Sequence, residues 1–494
     1  MTINNNFNKK IIEIKDWCLE KKTFILLLTS LFVSLIVSIF TFYALILVVL
    51  ILIIGAVLLK FEESLSFFMF CYSFESVFFI SINSVTKFIF PIIYSILFSI
   101  SFIKYLILLF NKKERLNIKR IIPFLLFIIY ILIPINPIKL EDIIKYIIAF
   151  GVIYLILEYR TEINFNNILI IASVGLILSI IITPLSGLSN RMNLIQKKFY
   201  NFNIEKFKAM FDNPNWFAVF SITILSNLTY KFIYEDLMWG IPILMIFPFS
   251  YRTISRDYIL CLIFIIVFLL IINIIKRKKI YFLRYITLIA FIFIIAIVQL
   301  NITKLYAFRI KNTYNEITTL LGIKTKGGNF NDLNIKENVE NNNNQYDGEN
   351  SVYWVDGTPI DPGRLELWKR YIRDFKSSNI NIIFGVGASA KVLGIAPHNT
   401  YINVLWQFGI FGTILLINIF YLIIKDLSEN KNILLFLTLF VVLFVCMFES
   451  NVFNYVAIMM IISLYCSSFK GEKLNGKEEN FDNSSDLQSW KISR

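Results

Sequence analysis

An all-α polytopic membrane protein, with about 12 to 14 transmembrane helices and a large extracytoplasmic loop between two late spans, is what this sequence predicts. Three observations predict it. Hydrophobic residues make up 57% of the 494. They fall in runs close to the roughly 20 residues that a bilayer-spanning helix needs. The charged residues, only 17%, collect between the runs. The mean hydropathy is +0.68. At roughly 150 residues per soluble domain the length would suggest about three domains, but the apolar runs override that expectation. They exclude a soluble enzyme, a secreted disulfide-stapled scaffold and a disordered chain. Lys plus Arg number 48 against 34 Asp plus Glu, a formal net charge of +14. That excess is read by its placement about the membrane, and no nucleic-acid partner follows from it. Cys18, Cys71, Cys261, Cys446 and Cys466 stand singly with no CxxC, so neither a disulfide framework nor a thiolate metal site is expected.

Fourteen helices are expected, at 24–39, 42–59, 66–82, 87–110, 121–137, 142–159, 166–183, 215–233, 237–250, 258–275, 281–300, 400–424, 432–448 and 452–469. The stretch before the first is polar and Lys-bearing, and no small-residue cleavage pattern follows, so 24–39 reads as an uncleaved span. Lys9, Lys10, Lys15, Lys21 and Lys22 precede it; Lys112, Lys113, Arg115, Lys119 and Arg120 follow the fourth span; Lys276, Arg277, Lys278 and Lys279 follow the tenth. Fourteen spans put all three clusters, both termini and the tail with Lys470, Lys473 and Lys477 on the cytoplasmic side. The segment 237–250 is short, about 21 Å of helix against a core near 30 Å, and contains Pro242 and Pro248. Without it the Lys276 to Lys279 cluster would fall outside, so it is expected as a short or broken span. That seats the following turn at membrane depth, where irregular backbone is tolerated only against protein or a cavity. The chain divides into 1–183 (N-terminal helices), 184–300 (a central region with basic external loops), 301–399 (the large loop), 400–469 (C-terminal helices) and 470–494 (a cytoplasmic tail).

Three outward segments carry cations against the orientation rule. Arg191, Lys197, Lys198, Lys206 and Lys208 lie in 184–214, Arg252 and Arg256 follow the short span, and several more lie in 301–399. Long loops are indifferent to the rule, which accounts for much of 301–399 but not for the short turn with Arg252 and Arg256. A shared anion site is the functional alternative.

Within the large loop, 329–350 is Asn-rich, acidic and almost free of apolar side chains, and is expected to be a flexible insert. Asp361 and Pro362 then read as a helix start, with Leu365, Trp368, Ile372 and Phe375 on one face and Arg364, Lys369, Arg370 and Arg373 on the other. The helix reads either as an interfacial helix with a solvated basic face or as a lid contributing Arg364 to a substrate. Phe384, Gly385, Val386 and Gly387 form a turn able to take backbone angles closed to other residues. Pro397, His398 and Asn399 stand at the mouth of the next span. His398 is the only histidine and the one side chain whose ordinary pKa lies near neutrality; it reads as an interfacial hydrogen-bonding residue or as a proton acceptor. Zinc is not expected, for want of further His or Cys ligands outside.

In order, the chain presents FDNPNWFA (211–218) opening a span, ISRD (254–257) between two spans, GRLELW (363–368) in the long loop, FGVGAS (384–389) and PHNTYINVLWQFGIFG (397–412). This series resembles the superfamily of bacterial O-antigen ligases and Wzy-type polysaccharide polymerases, over about 184–412. The resemblance implies a metal-independent glycosyltransferase with no cofactor, in the cytoplasmic (inner) membrane, acting at its outer face in capsule, exopolysaccharide or O-antigen biosynthesis. The donor would be an oligosaccharide on undecaprenyl or another polyprenyl diphosphate and the acceptor a glycan hydroxyl. Membrane lipid, a chain-length regulator and a flippase are the further partners implied. Carried over by motif, Arg256 is the diphosphate clamp and His398 the base or acceptor-orienting group. Arg191, Lys206, Lys208, Arg252 and Arg364 are substrate-binding candidates, and Asn215, Asn399, Gly385 and Gly387 shape the site. Two departures stand out. Lys206 to Met210 replace the Arg and Gly often found ahead of the NPN element, leaving the first-loop role open between Arg191, Lys206 and Lys208, and Asp257 follows Arg256 where a small residue is usual. Asn215 and Asn399 are expected to fix helix ends. The competing class is a lipid-linked oligosaccharide flippase or other polysaccharide transporter. Against it, no halves repeat and Glu75 is the only clear acid well inside a span.

Overall fold

A computed structural model of the chain describes residues 21–40, 43–74, 99–100, 102–104, 107, 118–132, 140–185, 195–199, 202–211, 214–304, 306–307, 354–355, 358–359, 363–387, 397, 399–428, 433–447 and 455–468. Glu75 and the insert 329–350 lie outside these residues. The described chain is mainly helical, with two short antiparallel ribbons. Its helices are α1 (Lys22–Phe40), α2 (Tyr43–Leu58), α3 (Phe61–Tyr72), α4 (Ile118–Leu132), α5 (Leu140–Tyr159), α6 (Phe165–Leu185), α7 (Pro214–Tyr234), α8 (Gly240–Ser250), α9 (Arg256–Lys276), α10 (Lys279–Val298), α11 (Gly363–Phe375), α12 (Asn379–Phe384), α13 (Thr400–Ser428), α14 (Ile433–Cys446) and α15 (Tyr455–Ser468). β1 (Ile195–Phe199) pairs with β2 (Phe202–Lys206), and β3 (Trp354–Val355) with β4 (Thr358–Pro359). Helices α6, α7, α9, α10 and α13 are each long and apolar enough to cross a membrane, and shorter apolar helices lie in α1, α2, α5 and α14.

Side-chain contacts sort the helix ends into two faces. At one, Lys21 lies 2.7 Å from Glu63, and Lys104 caps α2 through the carbonyls of Val57 and Leu59 at 3.1 and 2.7 Å. Arg284 at the start of α10 donates to the carbonyls of Phe232, Ile233 and Glu235 at the end of α7, where the helix leaves them without partners. Buried Asp426, near the end of α13, receives Arg160 at 2.7 Å and Arg120 at 3.6 Å, and Arg120 also reaches Glu158 at 3.7 Å. At the opposite face, Phe207 bonds to Arg252, Tyr306 to Tyr251 and Tyr401 to Leu443. These contacts join ends that a strict alternation of spans assigns to the same side.

The segment expected as a short span, 237–250, is a 3₁₀ turn followed by a short helix with Pro248 inside it. Asp236 accepts the Met238 N–H, a single 3₁₀ turn follows at Leu237–Trp239, and α8 runs for 11 residues. It ends through Pro248, whose carbonyl accepts from the Gln299 side chain at 2.9 Å. A second 3₁₀ turn (Tyr251–Thr253) and Ile254 in the left-handed region, φ +55°, lead into α9. Tyr251, Thr253, Ile254 and Ser255 are buried, so this irregular backbone is enclosed by protein.

The expected span 400–424 differs in one respect. α13 runs on to Ser428 and is interrupted at Gly409, whose φ of +62° and ψ of −170° are not helical. Its first half, 400–408, and second half, 410–428, are two helices end to end.

Candidate functional site

The basic turn is assembled from two segments far apart in sequence. The Phe207 N–H donates to the Arg252 carbonyl at 3.0 Å, which lays the residues after β2 along the turn between α8 and α9. Two aromatic side chains hold them there. Phe207 packs on Phe217 and Phe249 at 5.7 and 5.3 Å between ring centroids, and Phe211 packs on Tyr72, Phe217 and Phe220. A tight turn closed by Phe211 N–H to the Lys208 carbonyl, with Ala209 at φ +46°, carries Lys208 between them. Lys208 is buried, at 6% exposure, and so is Asp257 in the first turn of α9. An acid there is favoured by the positive end of the helix. Arg252 and Arg256 are half-exposed on the same turn. Tyr251 anchors the turn through its Thr303 and Tyr306 bonds. The turn thus offers guanidinium groups at a protein edge, the arrangement that suits phosphate oxygens.

The second cluster is an aromatic shelf around the entry to α13. The Trp368 Nε1–H donates to the Pro397 carbonyl at 2.7 Å, and the Trp406 Nε1–H to Asp374 Oδ2 at 2.7 Å. Tyr371 is fully buried with its ring 4.8 Å from that of Trp406. This corrects the expected helix face. Among the described side chains of α11 Tyr371 is buried and Ile372 is exposed, because the helix docks through Trp368, Tyr371 and Asp374 onto Pro397 and the first half of α13. Lys369 and Arg373 are exposed and Arg370 half-exposed. Asn399 caps α13, its Oδ1 accepting the Ile402 N–H at 3.0 Å, as expected of that asparagine. Asn215 is the second residue of α7 rather than its cap.

Gly385 and Gly387 take positive φ, +77° and +111°, as their turn requires. Val386 and Gly387 donate to the carbonyls of Trp406 and Gln407 at 2.8 and 3.0 Å, and Tyr130 Oη lies 2.6 Å from both the Phe384 and Phe408 carbonyl oxygens. The carbonyls that the break in α13 would leave open are thereby taken up. α14 packs between α9 and α13, with Phe440 stacked on Phe264 of α9 and the Leu443 carbonyl accepting from Tyr401 of α13.

Of the residues expected at the site, the structure joins Lys208 to the turn of Arg252 and Arg256, and places Gly385, Gly387 and Asn399 together around α13. Lys206 is placed by its backbone alone, opposite Ile195 in the first ribbon, and Arg364 by its backbone at the start of α11. Arg191 and His398 lie outside the described residues, although Pro397 and Asn399 on either side of His398 are both anchored. Sequence reasoning missed Tyr130, Tyr371, Asp374 and Trp406. The one signal for them is the placement of Tyr371 three residues after Trp368, which puts two aromatic rings on one helix face. Compared with protein-family models and with the sequences of curated proteins, the chain gives no match.

Proposed function

We propose that this chain is a membrane glycosyltransferase that polymerises or ligates polyprenyl-diphosphate-linked oligosaccharides at the outer face of the cytoplasmic membrane. The observation that carries the reading is the Phe207–Arg252 bond, which draws Lys208 to the turn bearing Arg252 and Arg256. The bond brings the backbone beside Lys208 against that turn, and several cations about one turn are what a metal-free diphosphate site would need. In the reaction, the acceptor oxygen attacks the anomeric carbon and the bond from that carbon to the phosphate oxygen breaks. The acceptor proton passes to His398, and the departing diphosphate keeps the electron pair. Charge on the leaving group grows as the bond breaks, so fixed guanidinium groups lower the barrier without reorganising. Arg256 is the fork, Arg252 and Lys208 add charge, and Arg191, Lys206 and Arg364 are the further cations of the donor site. Polymerase and ligase differ only in the acceptor.

An interrupted span is also a feature of transporters, where unwound carbonyls coordinate the coupling ion. In α13 those carbonyls accept from Val386, Gly387 and Tyr130, which favours a structural break over an ion site.

The test is purified protein in proteoliposomes, given a lipid-linked oligosaccharide and a chelator. Longer lipid-linked glycan, or glycan moved to an added acceptor, with free polyprenyl diphosphate released, is the expected outcome. Passage of the donor across the bilayer with no new glycosidic bond would overturn the reading in favour of a flippase, and activity lost with the chelator would overturn the metal-free chemistry.

A further inference from the structure

The segment between α11 and α13 belongs by sequence to an external loop, yet it crosses α13 well below that helix's outer end. Gly385 meets Gly409, and a Cβ on Gly409 would overlap the Ile383 carbonyl and the Gly385 nitrogen. Two rulers measure how deep that crossing lies, both starting from the charged cluster of Arg120, Arg160, Glu158 and Asp426. Along α13, Gly409 to Asp426 is seventeen residues, about 25 Å at a rise of about 1.5 Å per residue. Along α4, Arg120 to Tyr130 is ten residues, about 15 Å, and the Tyr130 hydroxyl touches the Phe384 and Phe408 carbonyls. Both distances are shorter than the roughly 30 Å of a hydrocarbon core. With the charges at one interface, the crossing falls inside the apolar layer.

The side chains agree with that depth. Ile380, Ile383 and Phe384 are 60%, 48% and 38% exposed, too much apolar surface on six residues for a solvated loop. Phe384 lies 6.5 Å from Phe411, at the top of an exposed stripe, Ile410, Ile414, Ile417 and Tyr421, that runs down the second half of α13 at helical spacing. α13 is one of the helices able to cross a membrane, and α12 extends its lipid-facing stripe. Before α12 the exposed side chains include Lys369, Arg373 and Lys376, with Ile372 among them, a mixture that suits headgroup phosphates above an acyl layer. The non-helical backbone at 385–387 meets the requirement for such depth, since Val386 and Gly387 donate to α13 and Tyr130 serves two of the carbonyls.

We infer that residues 379–387 form a re-entrant element embedded in the outer leaflet, with Ile380, Ile383 and Phe384 against phospholipid acyl chains and Lys369, Arg373 and Lys376 at the headgroups. The element fills the break in α13. This holds whatever chemistry the protein performs.

The experiment is spin labelling of the full chain in phospholipid vesicles, with nitroxides at Ile380→Cys, Ile383→Cys, Ile414→Cys and Lys369→Cys in turn. Labels at 380 and 383 are expected to match 414, favouring oxygen over a water-soluble nickel chelate several-fold, whereas 369 favours the chelate. Labels at 380 and 383 that match 369 would overturn the inference. Unsubstituted protein gives a second reading, by photolysis with a phosphatidylcholine carrying a diazirine in its acyl chain. Adducts within 380–384 as well as 410–421 are expected, and adducts on 410–421 alone would overturn it. Neither measurement involves a glycan, so a failure here leaves the glycosyltransferase reading standing, and a failure there leaves this one.

Discussion

Gly385 and Gly409 cross so closely that neither can carry a side chain. A Cβ on Gly385 would overlap the Gln407 carbonyl, and one on Gly409 the Ile383 carbonyl, while both residues hold positive φ. The crossing interrupts α13 and fixes its first half, with Trp406 and Gln407, to the turn after the short helix beside it.

Gly409→Ala is therefore expected to lose about 3 kcal/mol of stability or more, since strain in a glycine-only region adds to overlap with backbone that cannot move aside. Gly55→Ala, whose nearest neighbours are side-chain atoms at 3.4 and 3.5 Å, is the control. Thermal unfolding of the detergent-solubilised variants should show a large drop for the first and a small one for the second. Equal, small drops would contradict the crossing.

Tyr130→Phe removes one hydroxyl and leaves the carbonyls of Phe384 and Phe408 without it inside the bundle. Leaving a buried polar group unsatisfied costs about 1–3 kcal/mol. Tyr401→Phe loses a single bond to Leu443 from an exposed side chain, so its unfolding midpoint should fall less than that of Tyr130→Phe.

Around Asp426 the distances set an order. Asp426→Asn should destabilise most, because it leaves two guanidinium groups facing a neutral amide. Arg160→Gln, removing a 2.7 Å contact, comes next, and Arg120→Gln, removing contacts of 3.6 and 3.7 Å, last. Both arginines are partly exposed, at 18% and 26%, so water moderates the losses below the roughly 3–5 kcal/mol typical of a fully buried broken pair. Unfolding midpoints in a thermal series test the order.

In the proposed reaction, Arg256→Lys keeps the charge but loses the fork, and should cost about 100-fold to 1000-fold in transfer rate, the usual loss for one transition-state contact. His398→Ala should also stop glycan formation but retain binding of the lipid-linked donor, which Arg256→Ala weakens. Wild-type yield from either position would remove its role.

Deleting 331–348 should leave transfer largely intact, since that Asn-rich, acidic stretch has too little apolar surface to pack on anything. Loss of product at normal membrane expression would show that the insert is part of the machinery.

What the sequence determined is the class of molecule, because the membrane acts on composition directly. A run such as Arg256–Lys276 is long and apolar enough to cross whatever its neighbours are. Local chemistry was equally legible in the positive-φ glycines at 385 and 387 and the Asn399 cap, each depending on residues a few positions away. What only the tertiary structure decided is which distant residues meet. Nothing in the local pattern marks Lys208 as a buried cation, because its burial follows from the Phe207–Arg252 bond and the aromatic packing of Phe207 and Phe211. The face of α11 was misjudged for a similar reason. Periodicity registers that Ile372 is apolar, but the partner surface of Pro397 and Trp406 rewards Trp368 and Tyr371, whose rings bring a donor or a flat face. Gly409 reads as an ordinary glycine in an apolar run until Gly385 is brought against it, and that encounter divides the span in two.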